Sequence, residues 1–258
     1  MKKNINKKII LFDIETSYTV SATWGLFETN VAKVIREPYI ISCAYKFLGE
    51  KTVHVISLPD FSLYKKDRYN DRDLVKELHK IFDKAEIVVA HNLNSFDYKW
   101  VYGRFAIHGM TPPSPCKQID TLLISRAKFR FNSNRLNDLS KYFGLGEKVD
   151  TGGIDLWYNC IEKNDKKSWD LMCKYNKQDV ILLEKVYLKL LPFITNHPNL
   201  GLIEGNEHAC PNCGSTHVQR RGFEFTRASK SQRWQCQDCA SWHKSPIEEE
   251  GEEVSQIR

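Results

Sequence analysis

Apolar runs and helical patterns alternate along the chain up to about residue 195. Residues 9–12 form a continuous apolar run, which is typical of a buried strand. Residues 39–49 and 52–58 are two more strand-like runs, and the Gly-Glu-Lys sequence between them predicts a hairpin. Residues 71–85 carry apolar side chains at helical spacing, and the β-branched run at 86–92 predicts a further strand.

Helical patterns dominate the chain after residue 92. Residues 95–110 return to helical periodicity, whereas residues 117–126 begin like a strand and are ambiguous beyond that. Residues 134–146 predict a helix that ends at a glycine, and residues 168–194 carry apolar side chains every three or four positions until Pro192. A hairpin, then strand–helix–strand units, then helices predict a mixed α/β sheet flanked by helices.

The composition changes after residue 195, where proline and glycine enter a polar stretch at 196–207 that is typical of a linker. We therefore predict a main domain at 1–195 and a small second domain at 208–244. The acidic run at 245–258 predicts a solvated, disordered tail.

Composition and charge exclude few functions. The chain has 258 residues, of which 41% are hydrophobic and 27% charged, as in ordinary soluble globular proteins. A net charge of +6 favours a polyanionic partner only weakly, because the charges are dispersed. No run approaches the ~20 apolar residues of a membrane span, and the apolar run after the lysine-rich start stops at Asp13, too early for a secretion signal. We therefore expect no membrane partner.

The cysteines indicate a metal site. Cys210 and Cys213 form one close pair, Cys236 and Cys239 form another, and 22 residues separate the pairs. This spacing predicts one structural Zn²⁺ ion bound by four thiolates in a zinc ribbon. The other four cysteines are scattered singly, as reduced thiols are. Together these features predict a cytoplasmic protein that is not secreted, or one in the host-cell cytoplasm if it is viral.

Two acidic residues follow the first predicted strand. Asp13 and Glu15 are separated by one residue, so they point to the same face of the strand and repel each other. A bound divalent cation would explain the pair. A chance alternation at a fraying strand end is the alternative.

Two other segments carry candidate chemistry. Asp97 falls in the first turn of a predicted helix, where an acid can instead offset the positive end of the helix. Tyr175 and Asp179 are four residues apart on a helical pattern and share one face, as ordinary surface pairs also do.

Taken together, these residues resemble a known family. D-x-E at 13–15, N-x-x-x-F-D at 92–97 and Y-x-x-x-D at 175–179 occur in the order of the three motifs of DnaQ-like 3′–5′ exonucleases. The set is similar to the tyrosine-type branch (DEDDy), which includes the proofreading domains of family B DNA polymerases. The resemblance covers roughly residues 8–192. The histidine-type branch would need a histidine where this chain has Lys174.

The resemblance implies a ribonuclease-H-like mixed five-stranded sheet and a two-metal mechanism. Two Mg²⁺ or Mn²⁺ ions would be held by Asp13, Glu15, Asp97 and Asp179, while Tyr175 orients the attacking water. By the same resemblance, the 3′ end of the substrate would contact Thr16, Trp24, Asn92 and Phe96, although Phe96 could instead be a core residue. We assign His91 and Asp120 to structural roles.

Cations and aromatic side chains are interleaved between the two cysteine pairs. Such a pattern suits contacts with phosphates and bases, although the ribbon could instead dock a protein or cap the main domain. The two cysteine motifs resemble the zinc ribbons of transposase-like and transcription-related proteins, except that Ala240 stands where many ribbons have glycine. The predicted contact residues are Arg220, Arg221, Phe223, Arg227, Arg233 and Trp234.

The predicted function is a stand-alone 3′–5′ exonuclease that acts on single-stranded or frayed DNA 3′ ends. Its role would lie in replication, repair or proofreading in trans, with a replication protein as a candidate partner. An RNA 3′-trimming nuclease, a catalytically inactive nucleic-acid-binding adaptor and a structure-selective endonuclease remain open alternatives.

Overall fold

The computed structural model describes residues 8–28, 30–148, 150–203 and 205–247. The described residues up to Leu190 form one compact unit, and those from Leu191 onward form a second. Most of the predicted acidic tail, residues 248–258, lies outside the described residues.

The first unit contains seven strands and six α-helices among its described residues. The strands are β1 (Ile9–Thr16), β2 (Val20–Ala22), β3 (Lys33–Arg36), β4 (Ile40–Phe47), β5 (His54–Ser57), β6 (Ile87–Ala90) and β7 (Lys117–Asp120). The helices are α1 (Arg72–Phe82), α2 (Asp97–Ile107), α3 (Thr121–Lys128), α4 (Leu136–Tyr142), α5 (Ile154–Ile161) and α6 (Lys166–Leu190).

Five of these strands form one mixed sheet in the order β5–β4–β1–β6–β7. The β4 and β5 strands pair antiparallel as the predicted hairpin, and β4 also runs antiparallel to β1. The β1, β6 and β7 strands are parallel to one another. This sheet with its flanking helices confirms the predicted fold class.

The central strand β1 is covered on both faces, which explains its continuous apolar run. Ile10, Phe12 and Ile14 alternate toward the core that includes α1, and the Phe12 ring lies 5.0 Å from the Phe82 ring in an edge-to-face contact. Asp13, on the opposite face, contacts α6. The same strand therefore serves the core on one face and places its acids against a helix on the other.

A buried ion cluster joins α1, α2 and β4. Asp71 is fully buried, and its carboxylate accepts hydrogen bonds from the Arg104 guanidinium at 2.7 Å and from the Ile40 backbone N–H at 2.9 Å. The His108 ring lies 2.6 Å from the same carboxylate. This cluster fixes the start of α1 against the end of α2.

The predicted element boundaries differ from the structure in three places. The ambiguous segment 117–126 is a strand that becomes a helix at Asp120, whose side chain caps α3. The long last helix ends at Leu190, just before the Leu191–Phe193 turn that contains Pro192. The paired β2 and β3 strands were not predicted, because their short segments carry no clear alternation, whereas α5 lies in the stretch that was predicted only as generally helical.

The second unit holds a short helix, α7 (Leu200–Ile203), within the segment predicted as a linker. It also holds an antiparallel sheet in the order β10–β9–β8, formed by β8 (Val218–Phe225), β9 (Lys230–Cys236) and β10 (Trp242–Ser245). In the described part of the chain, no helix combines the length and the apolar character that a membrane span requires.

Candidate active site

The acid pair of β1 meets the late helix α6. Asp13 and Glu15 stand two residues apart on the strand, and one carboxylate oxygen from each lies within 4.8 Å of the other and of an Asp179 oxygen. The sheet brings β1 under α6, so residues more than 160 positions apart in the chain become neighbours. Three of the four predicted carboxylates therefore converge.

The fourth carboxylate, Asp97, lies beside this cluster. It is the first residue of α2 and is almost fully buried, and its Oδ1 accepts a hydrogen bond from the Ile14 backbone N–H at 3.3 Å. Ile14 separates Asp13 from Glu15 in the chain, so Asp97 approaches β1 between the two acids. It is not one of the three residues whose oxygens lie within 4.8 Å of one another.

Crowding and burial raise the pKa values of these acids. Burial, followed by the charge of Asp179, raises the pKa of Asp13 to about 7. Burial and the neighbouring acids also raise the pKa of Glu15 and of Asp97 well above their ordinary values. Burial raises the pKa of Asp179 as well, although Lys148 opposes this effect. The acids cannot all carry charge at neutral pH without further cationic compensation.

Lys148 supplies part of that compensation, and no motif in the sequence indicates it. It lies in the loop between α4 and α5, and its ammonium group contacts the Asp179 carboxylate. The same group lies 3.3 Å from the Tyr175 hydroxyl and 5.2 Å from the centroid of the Tyr175 ring. A lone lysine in a loop has no spacing that could reveal this contact.

Tyr175 remains protonated at neutral pH. Burial, followed by the charge of Asp179, raises the pKa of its phenol to about 12. Its ring packs edge-to-face against Trp157 of α5 with centroids 6.2 Å apart, which fixes its orientation. It can therefore donate a hydrogen bond but cannot act as a base.

The carboxylate cluster fits a divalent metal ion. Carboxylate oxygens are the ligands that Mg²⁺ and Mn²⁺ prefer. Asp179 Oδ1 is buried and has no hydrogen-bond partner among the described residues, so it is available as a ligand. A cation there would satisfy this oxygen and offset the repulsion that raises the pKa values.

A family comparison decides the relationship of this unit to known proteins. A family model described as RNase_H superfamily matches residues 10–191. The chain belongs to the RNase H superfamily.

Two polymerases are similar to parts of this RNase H superfamily chain. The DNA polymerase III PolC-type of Ureaplasma parvum serovar 3 is 31% identical over 153 residues, which cover 54% of this chain. The chain spans only 10% of the length of that curated relative. The structure of the family B DNA polymerase from the hyperthermophilic archaeon Pyrobaculum calidifontis matches with a TM-score of 0.49 and 18% identity, covering 72% of this chain and 24% of the polymerase chain.

His91 and Asp120 contact the protein's own groups, as expected for structural residues. The His91 ring nitrogens lie 2.9 Å from the Thr121 hydroxyl and 2.9 Å from the Asn134 carbonyl oxygen. The Asp120 carboxylate accepts hydrogen bonds from four backbone N–H groups, those of Asn92, Asn94, Leu122 and Leu123.

The predicted substrate contacts of the RNase H unit lie in different environments. Thr16 ends β1, next to the acid pair. Asn92 has a φ of +73°, a left-handed conformation that is strained for a residue with a side chain. Phe96 precedes α2 and packs partly against the core, 6.2 Å from the Trp100 ring. Trp24 is 90% exposed, in the turn between β2 and β3.

The four cysteines of the second unit form the second candidate metal centre. Their sulfur atoms lie within 4.8 Å of one another, and the Cys210–Cys239 and Cys213–Cys236 pairs are each 3.6 Å apart. Tetrahedral Zn–S bonds of about 2.3 Å place sulfurs about 3.8 Å apart, so the four thiols fit one Zn²⁺ ion. No open ligand position is needed, which suits a structural metal.

The sheet of the second unit separates the predicted nucleic-acid contacts. Strand pairing places Arg220 opposite Trp234, whose ring lies 5.2 Å from the guanidinium carbon. Alternation along β9 and the pairing of β8 with β9 place further aromatic and cationic side chains on the same side. We call this side the aromatic face, and it consists of Arg220, Phe223, Phe225, Lys230, Trp234 and His243.

The other predicted contacts lie off the aromatic face. Arg233 pairs with Lys244 on the opposite side of the sheet, and its guanidinium lies 5.4 Å from the Trp242 ring. Arg221 lies in the irregular stretch of β8, and Arg227 lies in the turn between β8 and β9. Sequence spacing could not separate these groups, because the irregularity in β8 shifts the alternation of faces.

Proposed function

We propose that the chain is a metal-dependent 3′–5′ exonuclease that hydrolyses phosphodiester bonds from the 3′ end of DNA. The observation that carries this proposal is the convergence of Asp13, Glu15 and Asp179 within 4.8 Å in a member of the RNase H superfamily. Tyr175 beside them favours the tyrosine-type exonuclease chemistry that the sequence motifs resemble.

Each group of this site has a defined role in the proposed reaction. Asp13, Glu15, Asp97 and Asp179 would hold two Mg²⁺ or Mn²⁺ ions. Such ions, when bound, supply Lewis acidity for water activation and for the developing charge on the leaving 3′ oxygen. The Tyr175 phenol remains protonated and donates a hydrogen bond that orients the attacking water.

The proposed substrate is a single-stranded or frayed DNA 3′ end. Thr16 is the last residue of β1, the strand that carries the acid pair, and Asn92 lies just beyond β6, which pairs with β1. Phe96 would stack against a terminal base, and Trp24 would contact the strand further away. Unpaired bases are needed for such stacking, which favours a single strand.

The second unit would tether the substrate through the aromatic face. The Lys230 ammonium lies 4.0 Å from the centroid of the Phe223 ring, and Arg220 stacks on Trp234 in the same way. Phe225 is 69% exposed on this face, so an aromatic surface is open to bases beside cations that suit phosphates. Arg221, Arg227 and Arg233 would add phosphate contacts around its edges.

The proposed organisation follows the predicted domains. Residues 1–195 would be the nuclease, 196–207 the linker and 208–244 a ribbon folded around one Zn²⁺ ion. The protein would act in the cytoplasm in replication, repair or proofreading in trans, with a replication protein as a partner.

A trimming assay tests the activity. The wild-type protein is incubated with Mg²⁺ and 5′-labelled single-stranded DNA or RNA, with a chelator control. A descending ladder on DNA supports the proposal. A ladder on RNA alone would instead favour a 3′-trimming ribonuclease, and discrete internal cuts would favour an endonuclease.

Three variants connect this activity to the site. We expect Asp13→Ala to abolish trimming and Tyr175→Phe to slow it without unfolding the protein. Asp170→Ala is the matched control, because Asp170 is an exposed acid on the same helix as Asp179. Full activity in Asp13→Ala would refute the assignment of the active site.

Substrate tethering is tested separately. Replacing Cys236 and Cys239 with serine should weaken substrate affinity more than the rate of trimming of bound substrate, since the ribbon depends on its metal for folding. Unchanged affinity would contradict the tether and leave the nuclease assignment intact.

A further inference from the structure

An amide side chain lies in the apolar stripe by which α6 packs on the sheet. Asn176 stands in line with Met172, Val180 and Leu183, and all four side chains are buried at 1% exposure or less. A buried amide destabilises the fold unless its polar atoms find partners, so its presence in this stripe needs a physical reason.

All the polar atoms of this amide have partners near the acid cluster. Asn176 Nδ2 donates a hydrogen bond to Asp13 Oδ2 at 2.7 Å and another to the Asp13 carbonyl oxygen at 3.1 Å. Asn176 Oδ1 accepts a hydrogen bond from the Ser42 hydroxyl at 3.1 Å. The amide cannot be turned over, because Oδ1 would then face two acceptor oxygens of Asp13.

Ser42 extends the contact to a third element. It is fully buried on β4, where it pairs directly with Glu15 of β1. The chain of hydrogen bonds from Ser42 through Asn176 to Asp13 therefore joins β4, α6 and β1, the elements on which the acid cluster is built.

We propose that Asn176, held by Ser42, is a positioning residue that fixes the Asp13 carboxylate for metal binding. Without the amide, repulsion from Glu15 and Asp179 would turn the Asp13 side chain away from them. The amide holds Oδ2 in place, so the carboxylate keeps one orientation beside the cluster. This inference rests on the proposed function, because it assumes that the cluster binds a divalent ion.

The first test measures metal binding directly. Mn²⁺ affinity of the full chain is determined by calorimetry and by the electron paramagnetic resonance signal of free Mn²⁺, without nucleic acid. We expect Asn176→Ala to weaken Mn²⁺ binding by about 10-fold or more, as is typical when a residue that orients a metal ligand is removed. Ser42→Ala leaves both contacts with Asp13 and should weaken binding by about 3-fold.

The double variant separates positioning from general stability. Ser42 reaches Asp13 only through Asn176 in the described contacts, so Ser42→Ala added to Asn176→Ala should weaken Mn²⁺ binding no further.

Ser125→Ala is the matched control, because Ser125 is also fully buried and also donates to an asparagine oxygen, at 2.6 Å. Its melting temperature should fall while its Mn²⁺ affinity stays within about twofold of wild type.

The outcomes distinguish the two proposals. Unchanged Mn²⁺ affinity in folded Asn176→Ala or an effect of Ser125→Ala as large as that of Ser42→Ala would overturn the positioning role. If the wild type binds Mn²⁺ but trims no nucleic acid, the proposed function fails while the effect of Asn176 on the metal remains measurable.

Discussion

Removing Lys148 tests whether its ammonium group stands in for a divalent cation beside Asp179. In the described part of the chain, Lys148 is the one cation that contacts the carboxylate cluster. Changing it to glutamine removes the charge and keeps most of the side-chain volume. The Asp179 carboxylate would then be buried beside two other acids with no cationic partner.

The magnitude follows from the burial of the two groups. Losing one partner of a fully buried ion pair costs about 3–5 kcal/mol, whereas an exposed pair contributes about 0.2–1 kcal/mol. The Asp179 side chain is 2% exposed and the Lys148 side chain 27% exposed, so the pair lies between these limits. We expect Lys148→Gln to lower the free energy of unfolding by about 2 kcal/mol in the metal-free protein, which corresponds to about 4–8 °C in melting temperature.

The assay compares melting temperatures in a chelator and in Mg²⁺. A bound divalent ion would compensate Asp179 in place of the lysine, so Mg²⁺ should raise the melting temperature of Lys148→Gln more than that of the wild type. The deficit of the variant should therefore shrink in Mg²⁺.

Lys46→Gln is the matched control. Lys46 of β4 forms a partly buried ion pair with Glu184, which lies on α6 as Asp179 does. Glu184 is not part of the carboxylate cluster. Its deficit should be the same with and without Mg²⁺. Should Lys148→Gln behave in the same way, the lysine is only a structural ion-pair partner and the cluster does not bind Mg²⁺.

Three further predictions concern stability. Asp71→Ala leaves the Arg104 guanidinium buried without its partner and should cost about 3–5 kcal/mol in chemical denaturation, whereas a loss below about 1 kcal/mol would contradict this. Burial lowers the pKa of His91 from 6.5 to about 4. Acidification between these pH values should therefore lower the free energy of unfolding of the wild type by about 3 kcal/mol relative to that of His91→Gln. Parallel curves of stability against pH for the two proteins would refute this prediction. Ala240 has a φ of +62°, a left-handed conformation that glycine adopts more easily. Ala240→Gly should therefore raise the unfolding free energy of the zinc-loaded second unit by about 0.5–1 kcal/mol. A lower unfolding free energy in the variant would show that the left-handed strain is absent.

The parts of the fold that the sequence predicted are those in which one local pattern determines one element. The apolar run of β1 and the periodicity of α6 each reflect burial in the sheet core, so the pattern survives in a single sequence. The paired β2 and β3 strands have mostly exposed or half-buried side chains and depend on each other for their hydrogen bonds. A segment of three or four residues without alternation carries no such signal.

The candidate site also contains residues that a local sequence pattern reveals and residues that no such pattern reveals. Asp13 and Glu15 could be recognised from the sequence, because two acids at the end of an apolar strand are an unusual pattern. Their meeting with Asp179 did not follow from spacing, and only the resemblance to a known family joined them. Asn176 could have been detected, since it interrupts an otherwise apolar helical stripe. Lys148 could not have been detected, because a single lysine in a loop belongs to no distinguishing pattern.

The contacts around Asp13 and Asp179 also explain why so unfavourable a cluster is compatible with a stable fold. Repulsion among buried acids would normally be relieved by side-chain rotation or by taking up protons. Here the amide of Asn176 restrains Asp13, and the ammonium of Lys148 compensates Asp179. Neither contact satisfies Asp179 Oδ1, which stays buried without a partner among the described residues. The fold thus holds its acids in place and leaves one carboxylate oxygen without a partner. A divalent cation fits this cluster, because its charge offsets the repulsion among the acids and it prefers oxygen ligands.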